Sequence, residues 1–399
     1  MAAGAIVSER PSVVYVLPDK MGGSSTIVAN LLKYRTPDEF SYRAVLTHNT
    51  LDVDARLQRD LGGADSQTTF EYSLPLENVY AVARRLRRTI GPGPGVLVCN
   101  DFVEMLLVTL MDPGRTVVQI LHGDYDYYYD LASVHEPLVH AFVAYSRVVY
   151  ERLLERLPHR RDTIFWLPYG IPLPDAVRQP SHEKSLRLIF VGRLDEAKGV
   201  FVLPEIDRLL REAAVPVTWT IVGSGPAGPD LHQAWRDPAH VRFVETATPG
   251  EVVGLCAAHD VFVLPTRAEG LSVATVEAMG AGVVPVVTDL PGMVELAGGN
   301  RPGYRIPQGD APAFAGAIAA LARDRSRLDS MSAAARQLVV ERFDIRERAS
   351  AYQVLFALWR DLHRPRPALP VTSYGSRLDR PWLPNPVVRL VRTAMRAAR

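Results

Sequence analysis

Short apolar runs rich in β-branched residues alternate along this chain with longer amphipathic stretches. The runs at residues 12–17, 42–47, 96–100, 116–121, 138–144 and 163–167 predict six strands. Strands that alternate with helical patterns need crossover connections, so the pattern predicts a parallel sheet with helices on both faces. The same rhythm then restarts at 186–191, 217–222, 241–244, 260–265 and 283–287. Two doubly wound, Rossmann-like α/β domains in succession are therefore expected. Between them, residues 168–175 read Pro-Tyr-Gly-Ile-Pro-Leu-Pro-Asp and residues 178–185 are polar. Apolar periodicity stops there, which puts a boundary near residue 175. The expected organisation is a first domain at 1–175 and a second at 176–345. A helix at 346–362 is expected to pack back toward the first domain, and a Pro/Arg-rich tail follows at 363–399.

Length supports the division, because 399 residues exceed what one hydrophobic core usually serves. With 47% hydrophobic and 22% charged residues and a formal net charge of +1, the composition suits a soluble globular enzyme and gives no reason to expect nucleic acid. Cys99 and Cys256 each lie inside apolar runs, which favours core thiols in a reducing compartment over a disulfide framework or a metal site. The N-terminal stretch is too short for a signal peptide, and no uncharged run approaches the length of a membrane span, so a cytoplasmic location is expected. In the tail, Arg389, Arg392, Arg396 and Arg399 fall on one helical face opposite Val387, Val388, Leu390, Val391 and Met395. Such a helix can lie on the inner face of the cell membrane as a peripheral contact. It can equally dock on the body with its arginines in water, or fray.

Open α/β sheets bind ligands at the carboxyl ends of their strands, so the residues just past each run carry the chemistry. Gly22 and Gly23 follow the first strand and lead into a helix, where paired glycines let backbone amides approach a ligand; a tight turn with a Ser cap explains them equally well. His122-Gly123-Asp124 follows the strand ending at Leu121. An imidazole there can hydrogen-bond a sugar or act as acid or base. The carboxylates and tyrosines at 124–129 suit a sugar-binding loop or a lid between domains.

The second half carries the stronger signal. Gly192-Arg193-Leu194 followed by Lys198-Gly199 sets two cations past the first strand of the second sheet, as a diphosphate requires. Lys198 stands out because the chain has only four lysines. Gly223-Ser-Gly225 ends the next strand in a turn that leaves room for a base or ribose, although a plain strand-to-helix turn explains it almost as well. Glu269-Gly270-Leu271-Ser272-Val273 then opens a helix that contains Glu277. Amides at such a helix start suit phosphates.

Taken together, Gly192-Arg-Leu, Lys198-Gly, Val222-Gly-Ser-Gly-Pro226, Glu269-Gly-Leu-Ser, Glu277-Ala-Met and Gly282-Val-Val-Pro285 resemble the retaining glycosyltransferases of the large family four. The resemblance covers residues 12–362 and is most specific at 186–296. It implies the glycosyltransferase-B fold, two Rossmann-like domains facing a central cleft. It also implies a hexosyltransferase-type enzyme of polysaccharide biosynthesis that moves a sugar from a nucleotide-sugar donor to a glycan, lipid-linked or other hydroxyl acceptor with retention of configuration. By family frequency UDP-sugar is preferred to GDP-sugar.

In that family the first glutamate contacts the transferred sugar, here Glu269, and the second holds the ribose, here Glu277. The diphosphate cations match Arg193 and Lys198, the glycine pair Gly22 and Gly23, and the strand-end histidine His122. The resemblance implies neither metal nor bound cofactor, and it assigns catalytic work to His122, Glu269, Arg193 and Lys198, with closure of the two domains excluding water. The stretch Glu245-Thr-Ala-Thr-Pro-Gly250 lacks the glycine that the family commonly has just after the strand there, and the chain runs on beyond the family's last helix. The rivals are an epimerase or phosphorylase on the same plan, and a non-catalytic nucleotide-sugar-binding partner protein.

Overall fold

The computed structural model describes residues 10–20, 23–52, 60–181, 183–235, 238–245, 249–367 and 376–397. The chain forms two compact units. The first runs to Tyr145, continues over Val149–Leu167 and resumes from Arg346; the second comprises Ser146–Val148 and Pro168–Ile345.

The first unit contains strands β1 (Ser12–Pro18), β2 (Ser41–Asn49), β3 (Ser66–Tyr72), β4 (Gly95–Cys99), β5 (Thr116–Leu121), β6 (Ala141–Ala144) and β7 (Ile164–Trp166). Helices α1 (Gly23–Tyr34), α2 (Val79–Ile90), α3 (Phe102–Leu110), α4 (Asp126–His135) and α5 (Arg147–Arg156) run between them. All seven strands pair in parallel in the order β3-β2-β1-β4-β5-β6-β7. Helices cover both faces of such a sheet, so its central strands read as unbroken apolar runs. Every residue of β4, β5 and β6 is buried.

The second unit contains β8 (Leu186–Val191), α6 (Leu203–Glu212), β9 (Val217–Val222), α7 (Gly228–Ala234), β10 (Val241–Val244), α8 (Pro249–Ala257), β11 (Val261–Leu264), α9 (Val273–Gly280), β12 (Val284–Thr288), β13 (Tyr304–Ile306), α10 (Ala311–Arg323) and α11 (Arg325–Arg342). Its six parallel strands follow the order β10-β9-β8-β11-β12-β13. In both sheets the third, second and first strands lie to one side and the fourth and fifth to the other, which is the doubly wound order.

Two strands escape the apolar pattern. β3 reads Ser-Gln-Thr-Thr-Phe-Glu-Tyr, with only Phe70 buried, because it is an edge strand paired to β2 alone. β13 has three residues at the opposite edge of the second sheet. Edge position relaxes the demand for apolar side chains on both faces. The run expected as a strand from residue 138 begins its pairing only at Ala141, since residues 136–138 form a 3₁₀ turn opened by Pro137.

After Ile345 the chain adds α12 (Ile345–Ala357), α13 (Trp359–Leu362) and α14 (Asn385–Ala397), which join the first unit from Arg346 onward. Thr116 donates to the Trp359 carbonyl at 2.7 Å, and Arg364 donates to the Val139 carbonyl at 2.8 Å. The tail departs from the pattern predicted for it. Arg392 points into the unit and bonds the Pro75 and Glu77 carbonyls, the Ser376 hydroxyl and Asp379. Meanwhile Leu390, 74% exposed, and Met395, 56% exposed, face water. One arginine is therefore spent as a structural clamp instead of joining a four-arginine face, and Arg399 lies outside the described residues. No helix among the described residues is long and apolar enough to cross a membrane.

Candidate functional site

In a doubly wound sheet the crevice for a ligand opens at the carboxyl ends of the two strands where the order reverses. In the second unit these are β8 and β11. Past β8, the Asp195 carboxylate accepts the Lys198 amide at 3.0 Å and turns residues 196–198 into a 3₁₀ helix. Gly199 ends that turn at φ +69°, and a Cβ there would stand 1.8 Å from the Pro265 carbonyl oxygen. The loop past β8 thus rests directly on the loop past β11. The Arg267 amide donates to the Ala197 carbonyl at 2.8 Å, the Thr266 hydroxyl donates to it at 3.1 Å, and Arg267 pairs with Glu196.

This double anchorage holds the Lys198 ammonium 2.7 and 2.9 Å from the two carboxylate oxygens of Glu269. Both side chains are partly buried, where Coulomb interaction is stronger than at an open surface. Arg193 differs: its side chain is 66% exposed and its Nε lies 3.3 Å from Asp195. It is held by one exposed contact, whereas Lys198 is positioned by both oxygens of Glu269.

The glycine turns acquire a reason within the protein itself. Gly223 sits at φ +139°, and a Cβ there would lie 1.9 Å from the Gly192 carbonyl oxygen. The Leu194 amide donates to Ser224 at 2.9 Å, and Gly225 packs against the Leu194 backbone. Gly223 and Gly225 therefore let two strand-end loops touch, a constraint that holds whether or not a ribose lies above them.

Beyond Glu269 and Gly270, the Leu271 carbonyl accepts the Tyr169 hydroxyl at 3.0 Å, and Ser272 caps α9 by accepting the Thr275 amide at 3.3 Å. Val273 is the first residue of α9 and Glu277 the fifth. Burial pushes the Glu277 carboxyl up to about 7. Among the described residues it forms no ion pair with Arg193 or Lys198. A carboxyl shifted by desolvation beside a strand-end crevice is a group poised for use. Among the described residues no three His, Cys, Asp or Glu side chains are grouped to hold a metal ion.

The first unit holds the remaining candidates. Gly22 lies outside the described residues, and Gly23 is the first residue of α1. The Asn100 amide nitrogen donates to the Val16 carbonyl at 2.6 Å, which turns its oxygen toward His122 Nε2 at 2.7 Å. Nε2 therefore carries the hydrogen, and Nδ1 is a buried acceptor without a protein partner. Burial holds the imidazole down at about 3, so His122 stays neutral near pH 7 and its Nδ1 suits accepting a hydrogen bond from a sugar hydroxyl better than acting as an acid or a base. Asp124, by contrast, is committed to Arg152 and to the Tyr129 hydroxyl.

Sequence reasoning passed over Asn100, Asp101 and Glu104. Tyr127 donates to Asp101 at 2.5 Å, and fully buried Glu104 accepts the Asn100 and Asp101 amides at 3.1 and 3.2 Å. Polar residues directly after the apolar run of β4 were the available signal.

The sequence family described as glycosyl transferases group 1 matches residues 185–324. The amylovoran biosynthesis glycosyltransferase AmsK of Erwinia amylovora is 31% identical over 185 residues, 44% of each chain. The putative colanic acid biosynthesis glycosyltransferase WcaL of Escherichia coli is 33% identical over 198 residues, 46% of this chain and 48% of its own. The matched stretches thus span less than half the length of these relatives. Among solved structures, HepE of Anabaena in complex with UDP and glucose aligns with a TM-score of 0.70 at 17% identity, covering 86% of this chain and 99% of its own. The pneumococcal O-GlcNAc transferase GtfA in complex with UDP and GlcNAc aligns at 0.59 and 18% identity, covering 70% and 60%. With its two doubly wound sheets, this chain has the glycosyltransferase-B fold, and its residues 185–324 are similar to the group 1 glycosyl transferases.

Proposed function

We propose that the chain transfers a sugar from a nucleotide-sugar donor to a hydroxyl acceptor with retention of anomeric configuration. The observation that carries this reading is the Lys198–Glu269 pair, fixed by two anchored loops at the reversal point of the second sheet and inside the family-matched residues. In this reading Lys198 and Arg193 take the donor diphosphate, the amides of Gly270 to Val273 add the positive end of α9, and Glu277 accepts the ribose hydroxyls. Glu269 orients Lys198 and meets the transferred sugar, and Nδ1 of His122 accepts a sugar hydroxyl.

The reaction breaks the bond between the anomeric carbon and the diphosphate oxygen and forms the bond to the acceptor oxygen on the same face. The acceptor proton leaves with the diphosphate, so no enzyme nucleophile is required. Fixed cations aimed at the departing diphosphate supply the main stabilisation, because such charges need no reorganisation as the bond breaks. UDP-sugar is the favoured donor, supported by the UDP bound in HepE and GtfA. A polysaccharide precursor is the favoured product class, supported by the names of AmsK and WcaL. Exposed Trp382, Leu390 and Met395 beside Arg389 and Arg396 favour peripheral membrane contact through α14.

The test is thermal stabilisation by UDP, GDP and ADP, since a ligand of the native state raises its stability by mass action. We expect a shift with UDP that Glu277→Ala removes. A shift with none of the three would sink the donor assignment. Binding of a nucleotide-sugar without turnover toward any hydroxyl acceptor would favour a binding partner over an enzyme. Product anomeric configuration, read by proton NMR, decides retention.

A further inference from the structure

Two openings of the first unit meet at the same residues. One is a small pocket of about 90 Å³ at the carboxyl ends of β1 and β2 and the start of α3, where Lys20, Thr47, His48 and Asp101 supply polar groups. The sheet order reverses between β1 and β4, so this pocket lies where an open α/β sheet receives a ligand. The other is a groove of about 930 Å³ walled by Leu74, Leu76, Val79, Leu106, Leu378 and Met395. Asn49, Asp52 and Phe102 line both, so the polar pocket continues into the apolar groove.

The far wall of the groove is built by the segment beyond the family's last helix. Asn78 donates to the Arg380 and Leu383 carbonyls at 2.9 and 2.8 Å, and Asp379 accepts the Val79 amide at 2.9 Å. Asn385 donates to Glu77 at 2.8 Å, and Arg392 closes the clamp on Asp379. Every one of these contacts is polar, and they seat the segment while leaving Leu378 and Met395 on the groove. Val388 is buried as the segment docks, yet the groove wall stays apolar and open, and an apolar patch left open in this way marks a place for an apolar ligand or partner. The volume lies within the roughly 300–1,000 Å³ of small-molecule sites.

We infer that the first unit takes an amphipathic acceptor: a hydroxyl-bearing head in the strand-end pocket, and a single apolar chain of acyl or polyprenyl type in the groove beside α14. This rests on the glycosyltransferase reading and narrows its acceptor to a lipid-borne one. A wholly polar glycan would leave its hydroxyls unpaired against the leucine wall. The continuity through Phe102 suits one molecule that changes from polar to apolar along its length.

The probe is dodecyl maltoside below its micelle concentration, titrated calorimetrically into the full chain, with maltose as the head-only control. Phe102→Asp and Met395→Asp alter two exposed positions on the groove, so folding is not at stake. We expect dodecyl maltoside to bind more tightly than maltose and each variant to weaken it at least about tenfold. Equal binding of the two sugars, or unchanged binding in both variants, overturns the inference. So does a concentration-dependent dimer that Met395→Asp dissolves, because the groove then belongs to a second copy. Stabilisation by UDP, followed on the same three proteins, reports separately on the donor reading, whose failure would leave UDP without effect on the native chain too.

Discussion

Lys198 is held by both oxygens of Glu269, so a diphosphate entering there must share the ammonium with that carboxylate. We predict that Lys198→Ala and Arg193→Ala each cost about 2–4 kcal/mol of transition-state stabilisation in turnover. The Lys198→Ala/Glu269→Ala double variant should lose less than the sum of the singles, since the two groups touch; full additivity would show that they act independently. Near-normal turnover in both cation variants would remove the diphosphate role. Glu277 gives a second residue-scale prediction. Burial places its carboxyl at about 7, and ribose hydroxyls donate better to a carboxylate than to an acid. Affinity for UDP should therefore rise between pH 6 and 8, roughly spanning that value, and Glu277→Gln should flatten the rise. A rise that persists in the variant would assign it to another group.

At the scale of elements, α3 carries its own pH dependence. Glu104 is raised by burial first and by Asp101 second, from 4.5 to about 8. The native chain therefore keeps a proton on Glu104 that the unfolded chain releases above 4.5. Stability must fall as pH rises from 4.5 to about 8 and level off above that, by at most about 1.4 kcal/mol per pH unit from this group. Glu104→Gln keeps an acceptor oxygen for the Asn100 and Asp101 amides and should flatten the fall, as urea unfolding at several pH values will show. An unchanged slope would mean that other groups carry it. The β8 and β9 turns give a steric counterpart. Gly223→Ala would drive a methyl into the Gly192 carbonyl and should destabilise the chain by at least about 1–3 kcal/mol, read as a lower melting temperature. A melting temperature equal to the native one would mean that the two loops separate freely.

For the whole molecule, the path of the chain matters. It leaves the first unit after Leu167 and rejoins it at Arg346, so helices from the end of the chain pack on a sheet whose seven strands all precede residue 167. Ending the chain at residue 367 removes the partners of Asn78 and of the Val79 amide, which lie buried at the start of α2. Exchanging each of these hydrogen bonds for water costs about 0.5–1.5 kcal/mol. The shortened chain should melt at a lower temperature than the full one, and equal melting would show α14 to be a loosely held end. Vesicles with anionic lipid should bind the full chain more strongly than the shortened one if α14 contacts membrane; equal binding would reject that contact.

Eleven strand runs were legible: nine lie inside a parallel sheet, buried on both faces as only apolar residues allow, and the edge strands β7 and β10 still carry short apolar runs. The doubly wound class followed from their alternation with helices. The other two edge strands were not legible, because β3 is mostly polar and β13 has only three residues, which an edge position permits. In the second unit, the residues past β8, β9 and β11 could be singled out because glycine, cation and carboxylate cluster where apolar runs stop. That Lys198 meets Glu269 seventy-one residues on, that Gly223 answers to Gly192, and that Arg392 turns inward to Asp379 are long-range facts. Local pattern records only the period of each element and where it ends. Which loops touch, which arginine is clamped and which carboxyl loses its water depend on strand order and packing, and those exist only in the folded chain.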